Sequence, residues 1–195
     1  MADYNENEIL KQLCDPKQQR EAFGKVVKRY SEAMYWQIRR MVLTHDDAND
    51  ILQNALLKAW KNISSFHNES KLSTWLYRIA TNESLDFLRH KKTYATTSLD
   101  TPAQKDDGSS STKETNGVAA TLKADPYFDG DETQAMLQEA ISKLPDVQRT
   151  VFNMRYYDNM KYSEMSKILH TTEGALKASY HIAVKKISEY FHLRD

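Results

Sequence analysis

The sequence predicts an all-α protein: two small helical domains joined by a flexible linker, the second domain a helix-turn-helix. Three observations carry this. Apolar residues recur at helical spacing along most of the chain, and alternating strand patterns are hard to find. Glycine and proline are scarce, five and four in 195 residues, so the helices are joined by short turns. Residues 93–130 are rich in Thr, Ser, Asp, Gly and Ala and have no sustained apolar period; such a stretch buries too little surface to offset its ordering entropy. The chain therefore divides into a domain at 1–92, a linker at 93–130 and a domain at 131–195. Domains of this size can bury a core unaided, with modest stability.

In the first domain, Asp15-Pro16 reads as an N-cap followed by proline at the first helical position. Phe23, Val26, Val27, Tyr30, Met34 and Ile38 then recur at helical spacing. Thr44-x-x-Asp47 resembles a capping box and starts the next helix. The apolar face of that helix is Ile51, Leu52, Ala55, Leu56, Ala59 and Ile63. A polar loop, Ser64 to Lys71, precedes a third long helix from about Leu72 to Lys91. In the second domain a helix covers about Asp131 to Lys143, and Pro145 opens the next, to about Tyr157. A short helix from Ser163 to Leu169, a turn at His170-Thr171-Thr172 and a last helix from Glu173 to about His192 give the helix-turn-helix outline.

Composition narrows the function. The single cysteine, Cys14, allows no intrachain disulfide and fits a reducing compartment. The start, Met1 to Glu8, is polar and acidic, unlike a signal peptide, and no apolar run approaches a membrane span. A cytoplasmic protein without membrane insertion is expected. The six histidines are scattered, with no HExxH and no Cys/His spacing, so no metal, cofactor or catalytic residue is expected. One enzyme reading exists: Asp46-Asp47-Ala48-Asn49-Asp50 fits the DDxxD pattern that holds Mg²⁺-diphosphate in isoprenoid synthases. That chemistry needs a second acidic cluster across a large cavity. The other Asp-Asp pair, Asp106-Asp107, lies in the linker, and the domain is too small for the cavity.

Net charge is zero, but unevenly distributed. Residues 1–92 carry +3, residues 93–132 carry −5 and residues 133–195 carry +2. The acidic middle hides two mildly basic ends, compatible with nucleic-acid contact but not with tight binding by the isolated chain. On the last helix, Leu176, Tyr180, Ala183, Ile187 and Phe191 form one stripe that packs inward. The opposite face carries Gly174, Lys177, Ala178, His181 and Lys185. Small residues among basic ones suit a helix pressed into a major groove, although the pattern also fits a solvated face. Thr171, Thr172 and Glu173 sit at its start, where free N–H groups favour phosphate. Upstream, Phe66, His67 and Asn68 lie in a polar loop, followed by Lys71, Thr74, Trp75, Arg78, Asn82 and Arg89. Aromatics interleaved with basic and amide groups suit unstacked bases. Against this, Trp75 lies near the apolar stripe, as a core residue would, and Asp86 and Arg89 are spaced to pair with each other.

At these residues the chain resembles the sigma-70 family, specifically the short extracytoplasmic-function (ECF) sigma factors. His45-Asp46-Asp47-Ala48-Asn49-Asp50-Ile51-Leu52-Gln53 is similar to the helix by which that family binds the β′ coiled coil of RNA polymerase. Phe66-x4-Lys71-Leu72-Ser73-Thr74-Trp75-Leu76-Tyr77-Arg78-Ile79-Ala80-Thr81-Asn82, ending in Asp86-x2-Arg89, resembles its promoter-melting and minus-10-reading region. Leu144-Pro145-x2-Gln148-Arg149-x-Val151-Phe152, Tyr162-Ser163-Glu164-Met165-Ser166 and Glu173-Gly174-Ala175-Leu176-Lys177 resemble the helix-turn-helix that reads the minus-35 element and contacts the β flap. The resemblance implies polymerase contacts at Asp47, Asp50, Gln53 and Asn54. It implies minus-10 and single-strand contacts at Phe66, His67, Asn68, Lys71, Thr74, Trp75, Arg78, Asn82 and Arg89. Minus-35 duplex contacts fall on Thr171, Thr172, Glu173, Lys177, Ala178, His181 and Lys185. The partners it implies are core RNA polymerase, promoter DNA and, as for many members, an anti-sigma protein. The chain departs from the family where arginines often follow the lysine of the last helix: Ser179, Ile182 and Val184 stand there. A helix-turn-helix regulator acting without polymerase is the alternative, and it leaves the Asp47–Trp60 helix unexplained.

Overall fold

The computed structural model describes residues 5–42, 44–66, 70–97 and 130–193, with side chains at 92 and 94–97 excepted. Among these residues there are eight α-helices and no strands: α1 (Glu6–Cys14), α2 (Gln19–Val42), α3 (His45–Asn62), α4 (Leu72–Thr97), α5 (Glu132–Ser142), α6 (Asp146–Tyr156), α7 (Tyr162–Leu169) and α8 (Glu173–His192). A 3₁₀ turn, Ile63–Ser65, closes α3.

Helices α1 to α4 form one bundle. Val26, Met34 and Ile38 of α2, Ala48 and Ala55 of α3, and Leu72 and Leu76 of α4 are fully buried at its centre. Thr44 caps α3 as its spacing predicts, its hydroxyl accepting from Asp47 N–H at 3.3 Å. The reciprocal half of the expected capping box is absent, because the Asp47 carboxylate turns to Lys91 Nζ at 3.1 Å.

Three sequence expectations are corrected here. Helix α1 occupies a stretch of the first domain where the sequence predicted no helix. Asn5 caps it, accepting from Asn7 and Glu8 N–H, and Ile9 and Leu13, one turn apart, are its buried anchors. Asp15-Pro16 does not open a helix: Asp15 ends α1 in an extended conformation, and α2 starts at Gln19. The Asp15 carboxylate instead braces the connecting turn, accepting from Lys17 N–H at 3.0 Å and Gln18 Nε2 at 2.8 Å. Finally, α4 runs to Thr97, past the predicted end at Lys91, so residues 93–97 are helix, not linker. Once nucleated, a helix gains one hydrogen bond for each residue added, and propensity alone does not stop it. The rest of the predicted linker, 98–129, lies outside the described residues.

Helices α5 to α8 form the second bundle. Asp131 caps α5 by accepting from Gln134 N–H at 2.8 Å, and Thr172 caps α8 by accepting from Ala175 N–H at 3.3 Å. Between α7 and α8, His170 takes the left-handed conformation, φ 50°, that ends a helix tightly. The predicted inner stripe of α8 is observed, with Leu176, Ala183 and Ile187 buried against Phe152, Met165 and Ile168. Leu76→Ala, at the closed centre of the first bundle, is expected to cost about 2–5 kcal/mol; urea unfolding followed by circular dichroism checks it.

Candidate nucleic-acid and partner interfaces

Helix α3 presents two unlike faces. Ala48, Ile51, Ala55 and Ala59 pack inward. Asp46, Asp50, Gln53, Asn54 and Leu57 are exposed. Asp50, Gln53 and Asn54 make no hydrogen bond or ion pair among the described residues. Asp47 differs from them, half-buried and paired with Lys91. Leu57 was not singled out by sequence reasoning. It is 57% exposed, four residues beyond Gln53, and so extends the carboxylate-amide stripe with an apolar group. The signal was available: it falls outside the inward period of its helix. At the start of α3, His45 Nδ1 lies 2.8 Å from Tyr35 Oη and Nε2 lies 2.8 Å from Asn49 Nδ2, which fixes α3 against α2.

The expected strand-facing residues are brought together only in part. Thr74, Arg78 and Asn82 lie along α4, with Asn82 exposed and Thr74 and Arg78 half-buried. Trp75 is core: it is 8% exposed and its ring packs on Phe66 at 5.3 Å between centroids, so little of it is left for a strand to stack on. Arg89 is tied to Asp86 at 2.6 Å, the pairing its spacing predicted. Lys71 reaches across to Glu164 at 3.8 Å. His67 and Asn68 lie outside the described residues.

On α8, Glu173, Gly174, Lys177, Ala178, His181 and Lys185 are all exposed. Thr172 is committed to its cap and Thr171 is half-buried. A Cβ added at Gly174 would meet nothing within 4 Å, so packing inside the molecule does not demand glycine there. Lys177 Nζ sits 5.7 Å from the Tyr162 ring, and Lys185 lies 3.9 Å from Glu189.

The two bundles pack on each other, which the sequence did not foretell. At the C-terminus of α2, Arg149 Nη1 donates to Met41 O at 3.2 Å and Asn153 Nδ2 donates to Arg40 O at 3.2 Å. Arg40 pairs with Asp158 at 2.6 Å and lies 4.6 Å over the Tyr157 ring. Tyr77 of α4 packs against the core of the second bundle. Burial pushes the Asp158 carboxyl above its ordinary range, against the opposing pull of Arg40. Burial likewise lowers the Arg149 guanidinium, with Asp146 opposing.

Two family models match the chain: Sigma-70 region 2 over residues 26–94 and Sigma-70 region 4 over residues 134–187. The chain is 34% identical over 166 residues to ECF RNA polymerase sigma factor SigW of Bacillus subtilis, covering 83% of this chain and 84% of that one. It is 24% identical over 159 residues to the RNA polymerase sigma-H factor of Pseudomonas aeruginosa, covering 80% and 79%. Among solved structures, CnrH in complex with the cytosolic domain of CnrY aligns with a TM-score of 0.68 at 18% identity, over 97% of this chain and 99% of that one. RpoE in complex with the anti-sigma factor NepR, from Bartonella quintana, aligns with a TM-score of 0.65 at 19% identity, over 89% and 98%. At these identities the structural likeness speaks for the fold.

Arg40→Ala leaves Asp158 largely buried without its cation and is expected to weaken the packing of the bundles by about 1–3 kcal/mol. Small-angle scattering should show a larger radius of gyration with helix content unchanged. A carboxyl whose pKa is higher in the packed form binds its proton more tightly there, so packing becomes more favourable as pH falls. The expansion of the variant should therefore shrink on acidification toward the raised Asp158 range.

Proposed function

Because the chain belongs to the extracytoplasmic-function RNA polymerase sigma factors of the sigma-70 family, we propose a division of its labour among named residues. As a member of that family, the protein binds core RNA polymerase and directs promoter recognition and transcription initiation. In our reading, residues 1–97 grip polymerase and engage the minus-10 region, 98–130 link the domains, and 131–195 read the minus-35 duplex. Asp50, Gln53 and Asn54, with Leu57 beside them, dock on the β′ coiled coil, and Asp47 joins them by giving up Lys91. The observation that carries this is the outer face of α3: three polar side chains without internal partners, next to an exposed leucine. A single exposed leucine is ordinary on a protein surface, so the polar side chains without internal partners carry this reading.

The strand-facing set in this proposal is Phe66, His67, Asn68, Lys71, Thr74, Arg78, Asn82 and Arg89, with what little of Trp75 is exposed. Binding energy spent on unpaired bases shifts the duplex toward its open state, so no covalent step and no cofactor is required. Thr171, Thr172, Glu173, Lys177, Ala178, His181 and Lys185 face the duplex, and the second bundle contacts the β flap. Among the described residues no helix is long and apolar enough to cross a membrane. We place the protein in the cytoplasm, where core polymerase works. A structural neighbour was solved with an anti-sigma factor, and we extend that kind of partner to this chain.

Asp50→Arg should abolish binding to core polymerase in a pull-down while circular dichroism stays unchanged; unaltered binding refutes the α3 assignment. Lys177→Ala should weaken upstream duplex binding by about 1–3 kcal/mol if the lysine reads a base edge. A footprint of the holoenzyme over the minus-35 element decides it: undiminished protection moves the recognition face elsewhere.

A further inference from the structure

We propose that Ile182 is a specificity-determining residue of α8, selecting thymine through its methyl group at one position of the upstream duplex. The proposal rests on the reading of α8 as the helix that enters the major groove, and it adds an apolar contact to that reading.

The packing of α8 separates the residues the bundle uses from those it leaves out. Leu176, Ala183 and Ile187 are buried. Ile182 lies beside Ala183 in sequence but about 100° round the helix, and it is 43% exposed, so the core does not hold it. Counted back by fours, it follows Ala178 and Gly174, both exposed, and residues four apart share a face. Each step of four also turns about 40° round the axis, here toward the buried stripe. Lys186, the next in the row, already reaches α6, its Nζ 3.0 Å from Gln148 Oε1. Ile182 thus stands where the outward face turns back to the bundle, at the rim of the face that carries Lys177, His181 and Lys185.

A lone exposed isoleucine is ordinary on a protein surface; its neighbours give this one a partner. Lys177, His181 and Lys185 attract a polyanion, and a helix drawn into the major groove brings its face against base edges. Of the four bases, only thymine presents an apolar group there, its C5 methyl. Against cytosine or adenine, Ile182 would cover an exocyclic amine without accepting from it. Against guanine it would cover two acceptors. Burying a methyl on isoleucine is favourable, and covering an unpaired donor or acceptor is costly, so one side chain attracts one base and rejects three. Val184 is about as exposed, at 41%, but it stands about 160° away round the helix, in the row of Tyr180. It is therefore an internal control for apolar area on the same helix.

The test uses the full chain bound to core polymerase and a pool of duplex fragments randomised across the minus-35 and minus-10 regions. Selection by the wild-type holoenzyme is expected to enrich thymine in the upstream element. The Ile182→Ala holoenzyme, with circular dichroism unchanged, should lose that enrichment at one position and keep the rest. In the selected duplex, deoxyuridine in place of that thymine removes only the methyl. This should weaken wild-type binding about fourfold, as expected for one buried methyl, and leave Ile182→Ala binding nearly unchanged. Val184→Ala should select the same sequence as the wild type. The proposal is overturned if the wild type enriches no upstream thymine or if Ile182→Ala keeps every thymine preference. It is also overturned if deoxyuridine weakens both proteins equally, or if Val184→Ala loses the same preference. Failure of the underlying reading shows separately, as a Lys177→Ala holoenzyme whose protection of the upstream element is undiminished.

Discussion

The arrangement depends on how the C-terminus of α2 is capped. A helix leaves its last carbonyls without intrahelical partners, and these need donors wherever water is excluded. Here Arg40 O and Met41 O take theirs from Asn153 and Arg149, residues of the other bundle. The same guanidinium also donates to Ser142 O and Leu144 O at the end of α5. One cation thus sits at the negative ends of two helices from two bundles. Desolvation works against it, but three carbonyl acceptors and the nearby Asp146 keep the charge in place. Because α3 starts at His45, just beyond this cap, whatever holds the end of α2 also bears on the start of the helix we propose to face polymerase.

The contacts joining the bundles differ in strength, and magnitudes show which ones matter. The Lys71–Glu164 pair is long and its lysine is largely exposed, so it contributes at most about 1 kcal/mol. The Arg40–Asp158 pair is short and mostly buried, and it is reinforced by the Tyr157 ring under the guanidinium. Packing is therefore anchored at the end of α2 and looser toward the start of α4. Two of the contacts, from Arg149 and Asn153, are side chains on main-chain carbonyls, and water can replace such bonds once surfaces part.

Much of this was legible in the sequence because it is local. Thr44, Asp131 and Thr172 announce helix starts through their own neighbours, and the period of Leu176, Ala183 and Ile187 announces an inward face. Asp86 and Arg89 pair because they are one turn apart. What failed to show was set at long range or by one or two side chains. Helix α1 buries only Ile9 and Leu13, too few for a periodic signal, yet its Glu6 accepts from Leu72 N–H at 3.2 Å and so caps the start of α4. The partner of Arg149 is a carbonyl 108 residues away, and no pattern of side chains marks a carbonyl. Of the residues expected to face a single strand, Thr74, Arg78 and Asn82 lie along α4, but Trp75 followed the apolar stripe into the core.

The modest charge of α8 follows from the way a sigma factor reaches DNA. Each phosphate neutralised adds affinity and salt dependence. The exposed face of α8 offers Lys177, His181 and Lys185, the last of them near Glu189, with Ile182 and Val184 exposed alongside. So few cations give weak binding to free DNA. Once the protein is docked on polymerase, however, the second bundle meets DNA as part of a tethered complex, at an effective concentration on the order of millimolar. Weak intrinsic affinity is then sufficient for occupancy, while stronger affinity would hold the free protein on non-specific DNA. Zero net charge and a lightly basic reading helix are therefore consistent with a polymerase grip on α3, because the grip supplies the encounter and α8 has only to choose among sequences.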